Sequence, residues 1–247
     1  MKISNCITDT VYICLGRTIK GSKKNIADYV ARILQKTFDA LDDAYENNLE
    51  GKSVNTKSHL IFPKYSTGGE NYRVSEQELR FEFIHQFLKS QEENKENTPK
   101  LYYSIETPTI EKYRFSKPKN SSESDDGYPK IDETGESAQF DVVLFNEKAQ
   151  RVCYIEFKAK NPSKESYEKD LLKLNTESKN QAAFFVQLLW GCNKGTLPSI
   201  IKKIQPTSSE DRCLNDVIYV CHILKGKKTY IYNNNNIRFI DSWSELH

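Results

Sequence analysis

The stretch that most constrains this chain runs from Gln139 to Lys160. Two apolar segments, Gln139-Phe-Asp-Val-Val-Leu-Phe-Asn and Val152-Cys-Tyr-Ile-Glu-Phe-Lys-Ala-Lys, flank a short polar break. Val152, Cys153, Tyr154, Ile155 and Phe157 put apolar side chains on both faces of the second segment, as in an interior strand covered on both sides. Such a strand cannot solvate charge freely, yet it carries Glu156 and Lys158, and the first segment carries Asp141. A loop of about four residues, Glu147 to Gln150, makes the segments a hairpin in which Asn146 pairs with Arg151 and Asp141 falls opposite Glu156, about 5 Å apart at Cβ. Two carboxylates that close repel unless one is protonated or a cation lies between them, and Mg²⁺ suits an all-oxygen donor set. Period-two alternation sends Lys158 to the Glu156 face. A surface ion pair on an edge strand would also explain Glu-x-Lys in a chain with 28% charged residues. The apolar flanks favour the interior strand.

Asp141 followed by Glu156-Phe-Lys158 on the next strand resembles the PD-(D/E)xK nuclease superfamily, without the proline before the aspartate. The resemblance implies an α/β, restriction-endonuclease-like core of helix, three antiparallel strands, helix and a further strand. It implies Mg²⁺ or Mn²⁺ as cofactor and nucleic acid, DNA before RNA, as partner. By the same resemblance Asp141 and Glu156, with the Phe157 carbonyl, hold the metal, Lys158 orients the attacking water, and a glutamate on the first helix assists.

That helix is signalled at Ser75, where Ser75 and Glu78 make a capping box and Val74 and Leu79 a hydrophobic staple. At about 100° per residue, Leu79, Phe83, Ile84, Phe87 and Leu88 average to a direction near Arg80 and within about 50° of Glu76, whereas Glu78 and Glu82 point away. Glu76 is therefore the expected inward acid, and Glu76-x-x-x-Arg80 is similar to a motif in the nuclease domains of type I restriction enzymes. A first-turn carboxylate favoured by the helix dipole explains Glu76 equally well.

Leu101 to Pro108 reads as a strand that Pro108 ends or bulges, Tyr113 to Phe115 as a possible extension of the sheet, and Ser116 to Glu136 as a long polar insertion. Ser163 opens a helical region reaching about Gly191, broken near Asn175 to Ser178, with Ala182 to Trp190 as a buried helix. Gln181 with Phe185 is faintly similar to the Gln-x-x-x-Tyr of exonuclease-type members, and Ser178-x-x-Gln181 also reads as a capping box. Pro198 to Gln205 is helical, Asp216 to Leu224 is a buried strand, and Lys228 to Tyr232 with Ile237 to Ile240 is a strand pair. At the start, Met1 to Leu15 is weakly strand-like, Asn25 to Leu49 is an amphipathic cover helix, and Gly51 to Tyr72 is a linker. The expected division is residues 1–72 as an extension and 73–247 as the nuclease-like domain.

A net charge of +2 over 247 residues is too mild to announce nucleic acid, so phosphate contacts must be local. Lys158, Lys160, Lys164, Lys169 and Lys173 supply them, although a solvated helix face also accounts for the last three. Six cysteines occur without a Cys-x-x-Cys pair, and Cys213, Cys221 and His222 lack a fourth zinc ligand. Free thiols in a reducing cytoplasm are expected. No stretch approaches the roughly 20 apolar residues of a membrane span. The chain therefore reads as a cytoplasmic, metal-dependent nuclease with Glu76, Asp141, Glu156 and Lys158 as its catalytic set and Arg80, Lys160 and Gln181 as accessory residues. Two other readings stand beside it: a silent nucleic-acid-binding or interaction protein on that scaffold, and a subunit active only within a defence or repair complex. A homodimer is compatible with each.

Overall fold

The computed structural model describes residues 22–54, 58–64, 72–93, 98–117, 127–178, 180–204, 217–233 and 236–240. The weak strand at Met1 to Leu15 and Cys213 lie outside them. The described residues form a mixed α/β fold of four helices, α1 (Ser22–Asn47), α2 (Glu76–Glu92), α3 (Lys164–Glu177) and α4 (Thr196–Ile204), and eight strands. The strands are β1 (Tyr102–Arg114), β2 (Lys130–Ile131), β3 (Glu136–Phe145), β4 (Arg151–Ala159), β5 (Ala182–Leu189), β6 (Val217–Ile223), β7 (Lys228–Asn233) and β8 (Asn236–Ile240). They make one sheet in the order β2-β1-β3-β4-β5-β6-β7-β8. The pairs β4–β5 and β5–β6 are parallel, while β1–β2, β1–β3, β3–β4, β6–β7 and β7–β8 are antiparallel.

Alternation along each strand sorts apolar side chains into two layers. One face of the sheet, with Val142, Ile155, Phe157, Phe184 and Val220, packs against Phe38 and Leu41 of α1 and Leu79, Phe83 and Phe87 of α2. The other, with Val143, Tyr154, Phe185 and Tyr219, packs against Tyr167, Leu171 and Leu174 of α3 and Ile200 and Ile204 of α4. The expected cover helix is therefore present as α1, and it shares its core with the sheet. His222 of β6 ties it down: its ring stacks on Phe38 at 4.4 Å between centroids, Nε2 lies 2.9 Å from Asp42, and Nδ1 lies 2.9 Å from Thr229. His222 is thus a core residue. The expected linker also contributes, since Phe62 and Tyr72 are buried in that core and Asn48 donates to the Ser58 and Leu60 carbonyls.

One expectation is corrected. Ala182 to Leu189 is not a helix but the interior strand β5, buried at every position. An unbroken apolar run has no period to distinguish the two, and the open edge of β4, reached through α3, captures it as a strand. Of the two outcomes expected at Pro108, an end or a bulge, the structure has the bulge. The strand carries an irregularity between Pro108 and Lys112, where the Glu177 carboxylate of α3 accepts from the Ile110 and Glu111 amides at 2.7 and 3.1 Å. That carboxylate replaces the ladder bonds lost at the bulge.

Among the described residues no helix is long and apolar enough to cross a membrane. Phe38 is fully buried whereas Phe81 of α2 is 64% exposed. Phe38→Ala should therefore lower unfolding free energy by about 3–5 kcal/mol in urea titrations, and Phe81→Ala should stay within about 0.5 kcal/mol of the parent. Equal effects would contradict the packing of α1 on the sheet.

Candidate active site

Antiparallel pairing sets the first relation. Val142 pairs with Ile155, Val143 with Tyr154 and Leu144 with Cys153, and one further step in that register puts Asp141 opposite Glu156. The expected partner of Arg151 was Asn146. Instead Phe145 pairs with Arg151 across a local irregularity, and the Asn146 amide closes the turn on the Gln150 carbonyl at 3.0 Å. The slip is confined to the turn, so the opposition of the two acids is untouched. At this level the Asp141 side chain bonds the neighbouring strand: its Oδ2 accepts from the Phe157 amide at 2.7 Å. A strand residue turns its N–H and C=O to the same neighbour, so the Phe157 carbonyl also faces β3. The Phe157 ring lies in the opposite layer, 5.5 Å from Phe83.

Glu156 and Lys158 face α3, and α3 meets each of them with an opposite charge. Lys173 lies 2.6 Å from Glu156 Oε1 and Asp170 lies 2.7 Å from the Lys158 ammonium. Lys173 and Asp170 are themselves 2.9 Å apart, so the four alternate in sign. Lys173 is buried, as are Glu156 and Asp170. It is therefore neither a phosphate contact nor a solvated face. Of the other lysines, Lys164 pairs with Glu168 at 3.0 Å, Lys169 lies over the Phe115 ring, and the exposed Lys160 ends β4 with φ of 63°.

From the other layer, the first turns of α2 reach the C-terminal end of β4. Glu76 Oε1 accepts from the Ala159 amide at 3.4 Å and lies 3.9 Å from the Lys158 ammonium. Arg80 lies 3.5 Å from Asp141 and 3.4 Å from Glu106. The expected helical phase is corrected in part. Glu78 and Glu82 are buried and Leu88 is 42% exposed, because the inward stripe follows Leu79, Phe83 and Phe87. Glu78 is satisfied there by the Ser75 capping box and by Arg73 at 2.8 Å, and Glu82 by Gln86 at 2.7 Å. Glu76 lies about 20° from the mean direction of that stripe, and its place in the first turn brings it to the end of β4.

Gln181 is not part of this constellation. It precedes β5 beside Ser178 and Asn180, next to the Cys153 end of β4, away from Glu156 and Lys158, and it starts no helix. The glutamine at the site is Gln187, level with Lys158 on β5. Its amide donates to the Lys160 carbonyl and to the Tyr167 hydroxyl, and it accepts from the Tyr219 hydroxyl.

Burial, then the Asp170 charge, push the Glu156 carboxyl well above the usual glutamate range, against the pull of Lys173. Glu76 is raised by burial, opposed by Lys158 and the Ala159 amide. Burial works against the Lys158 ammonium, but Asp170, Glu76 and Glu156 together hold it protonated with a net upward shift. Around the end of β4, four carboxylates (Glu76, Asp141, Glu156, Asp170) thus face three cations (Arg80, Lys158, Lys173).

Among the described residues no three His, Cys, Asp or Glu side chains are grouped so as to hold a metal ion by themselves. Mg²⁺ does not require such a cage, since it is commonly held by one or two carboxylates with waters and substrate oxygens completing the shell. The hard oxygens of Asp141 and Glu156, in a cluster with an excess of carboxylate, fit that ion. Compared with protein-family models, with curated proteins and with solved structures, the chain matches none.

The raised Glu156 acid predicts a sign for pH dependence. A folded-state value above the unfolded one means the folded protein binds more protons, so this group's contribution to stability falls as pH rises from the ordinary glutamate range towards the raised value. Glu156→Gln should remove that downward slope, which begins above the ordinary glutamate range, in denaturant titrations. A variant whose stability tracks the parent's at every pH would show that Glu156 titrates normally.

Proposed function

We propose that this chain is a metal-dependent nuclease that hydrolyses phosphodiester bonds, in DNA before RNA, on a restriction-endonuclease-like core. The observation that carries the reading is the meeting of Asp141, Glu156 and Lys158 at the end of an interior strand, in a cluster whose carboxylates outnumber its cations. The order α2, β1, β3, β4, α3, β5 supports it, being helix, three antiparallel strands, helix and a further strand.

Asp141 and Glu156 would hold Mg²⁺ or Mn²⁺, with the Phe157 carbonyl beside them. A bound ion there would lower the pKa of a water and offset charge building on the phosphate. The chain's own groups do the rest. The Phe157 amide fixes the Asp141 rotamer. Lys158, aimed by Asp170, orients the attacking water and stabilises the charged transition state. Glu76, within 3.9 Å of Lys158, orders the outer shell. With a net charge of +2, substrate is gathered locally by Lys160 and neighbouring cations rather than by a long-range field.

A second reading, a binding protein on the same scaffold without turnover, is favoured by one observation: Asp141, Glu156 and Asp170 already have protein partners. Mn²⁺ titration with a labelled duplex separates the two, since only the first cleaves. A nuclease subunit that needs a partner would stay silent until the partner is added.

Asp141→Ala should abolish cleavage and weaken Mn²⁺ binding in calorimetry; unchanged Mn²⁺ affinity would remove Asp141 from the ion's shell. Lys158→Ala should bind uncleaved duplex almost as the parent does while single-turnover cleavage falls by about 10²–10³. Losing binding and cleavage in equal measure would make Lys158 a substrate contact instead. Glu76→Gln should slow cleavage at least about tenfold, or 1.4 kcal/mol of barrier, with little change in melting temperature.

A further inference from the structure

The sequence motif does not account for Lys173. It is a long cationic side chain buried on the inner face of α3, and its ammonium nitrogen lies within 3 Å of three oxygens from three elements. Those oxygens are Glu156 Oε1 on β4 at 2.6 Å, Asp170 Oδ1 on α3 at 2.9 Å and the Gln139 carbonyl on β3 at 2.8 Å. A lysine has three donors and no acceptor; here the Gln139 carbonyl accepts a hydrogen bond and the two carboxylates lie within ion-pair distance. Two carboxylates and a carbonyl converging on one point is also the donor set of a divalent cation.

Glu156 links that point to the expected ion. Its Oε1 lies 2.6 Å from the Lys173 ammonium, and the β3–β4 register puts Asp141 opposite it on the neighbouring strand. A carboxylate that shares its two oxygens between neighbouring positive centres is how two-metal hydrolases hold their ions about 3.5–4 Å apart. We propose that the Lys173 ammonium is a resident cation standing where a second divalent ion would sit between Glu156 and Asp170, so that the site takes a single ion. This rests on the metal-dependent reading above.

The chemistry follows from charge and fit. Two buried carboxylates need positive charge between them, and Lys173 provides it permanently, without a dissociation equilibrium. Mg²⁺ binds oxygen at about 2.0–2.1 Å, so the three oxygens, now 2.6–2.9 Å from the nitrogen, would draw in by about 0.5–0.9 Å to hold an ion instead. Removing the side chain beyond Cβ opens that position with its donors in place. Arginine keeps the charge there.

Titration of Mn²⁺ into the full chain by calorimetry tests this. The wild type and Lys173→Arg should each bind one ion, Lys173→Ala two, and Lys173→Ala with Asp170→Asn one again. Two ions in the wild type, or one in a folded Lys173→Ala variant, would overturn the proposal. If Lys173→Ala is unfolded in chelator, its circular dichroism should recover on adding Mn²⁺ and not K⁺. Failure to recover would make Lys173 a structural ion-pair partner only. A wild type that binds no Mn²⁺ sinks the metal-dependent reading and this proposal together. A wild type that binds one ion and cleaves, beside a Lys173→Ala variant that also binds one, sinks the proposal alone.

Discussion

Glu156 is a carboxylate set into the interior of a sheet, and the rest of the site is arranged around neutralising it. Isolated ions in a dry interior cost several kcal/mol, so the charge dictates what may pack above it. Helix α3 supplies the answer with Lys173, and Lys173 brings Asp170, which in turn pairs with Lys158. The alternating chain of four charges ties α3 to β4 alongside the apolar contacts of Leu171 and Leu174.

The site also depends on both layers of the molecule. Asp141, Glu156 and Lys158 come from adjacent strands, Asp170 and Lys173 from the helix on one face, and Glu76 and Arg80 from the helix on the other. They meet at the C-terminal end of β4, where side chains from the two faces can reach one another around the strand's last residues. Interior packing a few residues earlier, at Tyr154 and Ile155, keeps that end rigid.

Replacing a buried ion network by apolar residues of similar volume is often neutral or stabilising. A network of this size is therefore poorly explained as a device for stability. In the middle of an otherwise apolar sheet, burial and the Asp170 charge hold the Glu156 carboxyl well above the usual glutamate range. The Gln187, Tyr167 and Tyr219 cluster beside it is hydrogen-bonded internally and carries no charge.

Much of this was legible in the sequence, because it depends on short-range geometry. Period-two alternation and a tight hairpin sufficed to place Asp141 opposite Glu156 and Lys158 on the Glu156 face, and the capping box at Ser75 marked the start of α2. Ala182 to Leu189 carries no period, so only the free edge of β4 decides that it is a strand. Lys173 reads as a phosphate contact or a solvated face, and Asp170 does not stand out, because their burial in step with Tyr167, Leu171 and Leu174 depends on how α3 packs on the sheet. Which helix covers which face, and which lysine answers which acid, are decided by tertiary packing, since a charge buried by one element can be compensated only by another that the chain brings to it.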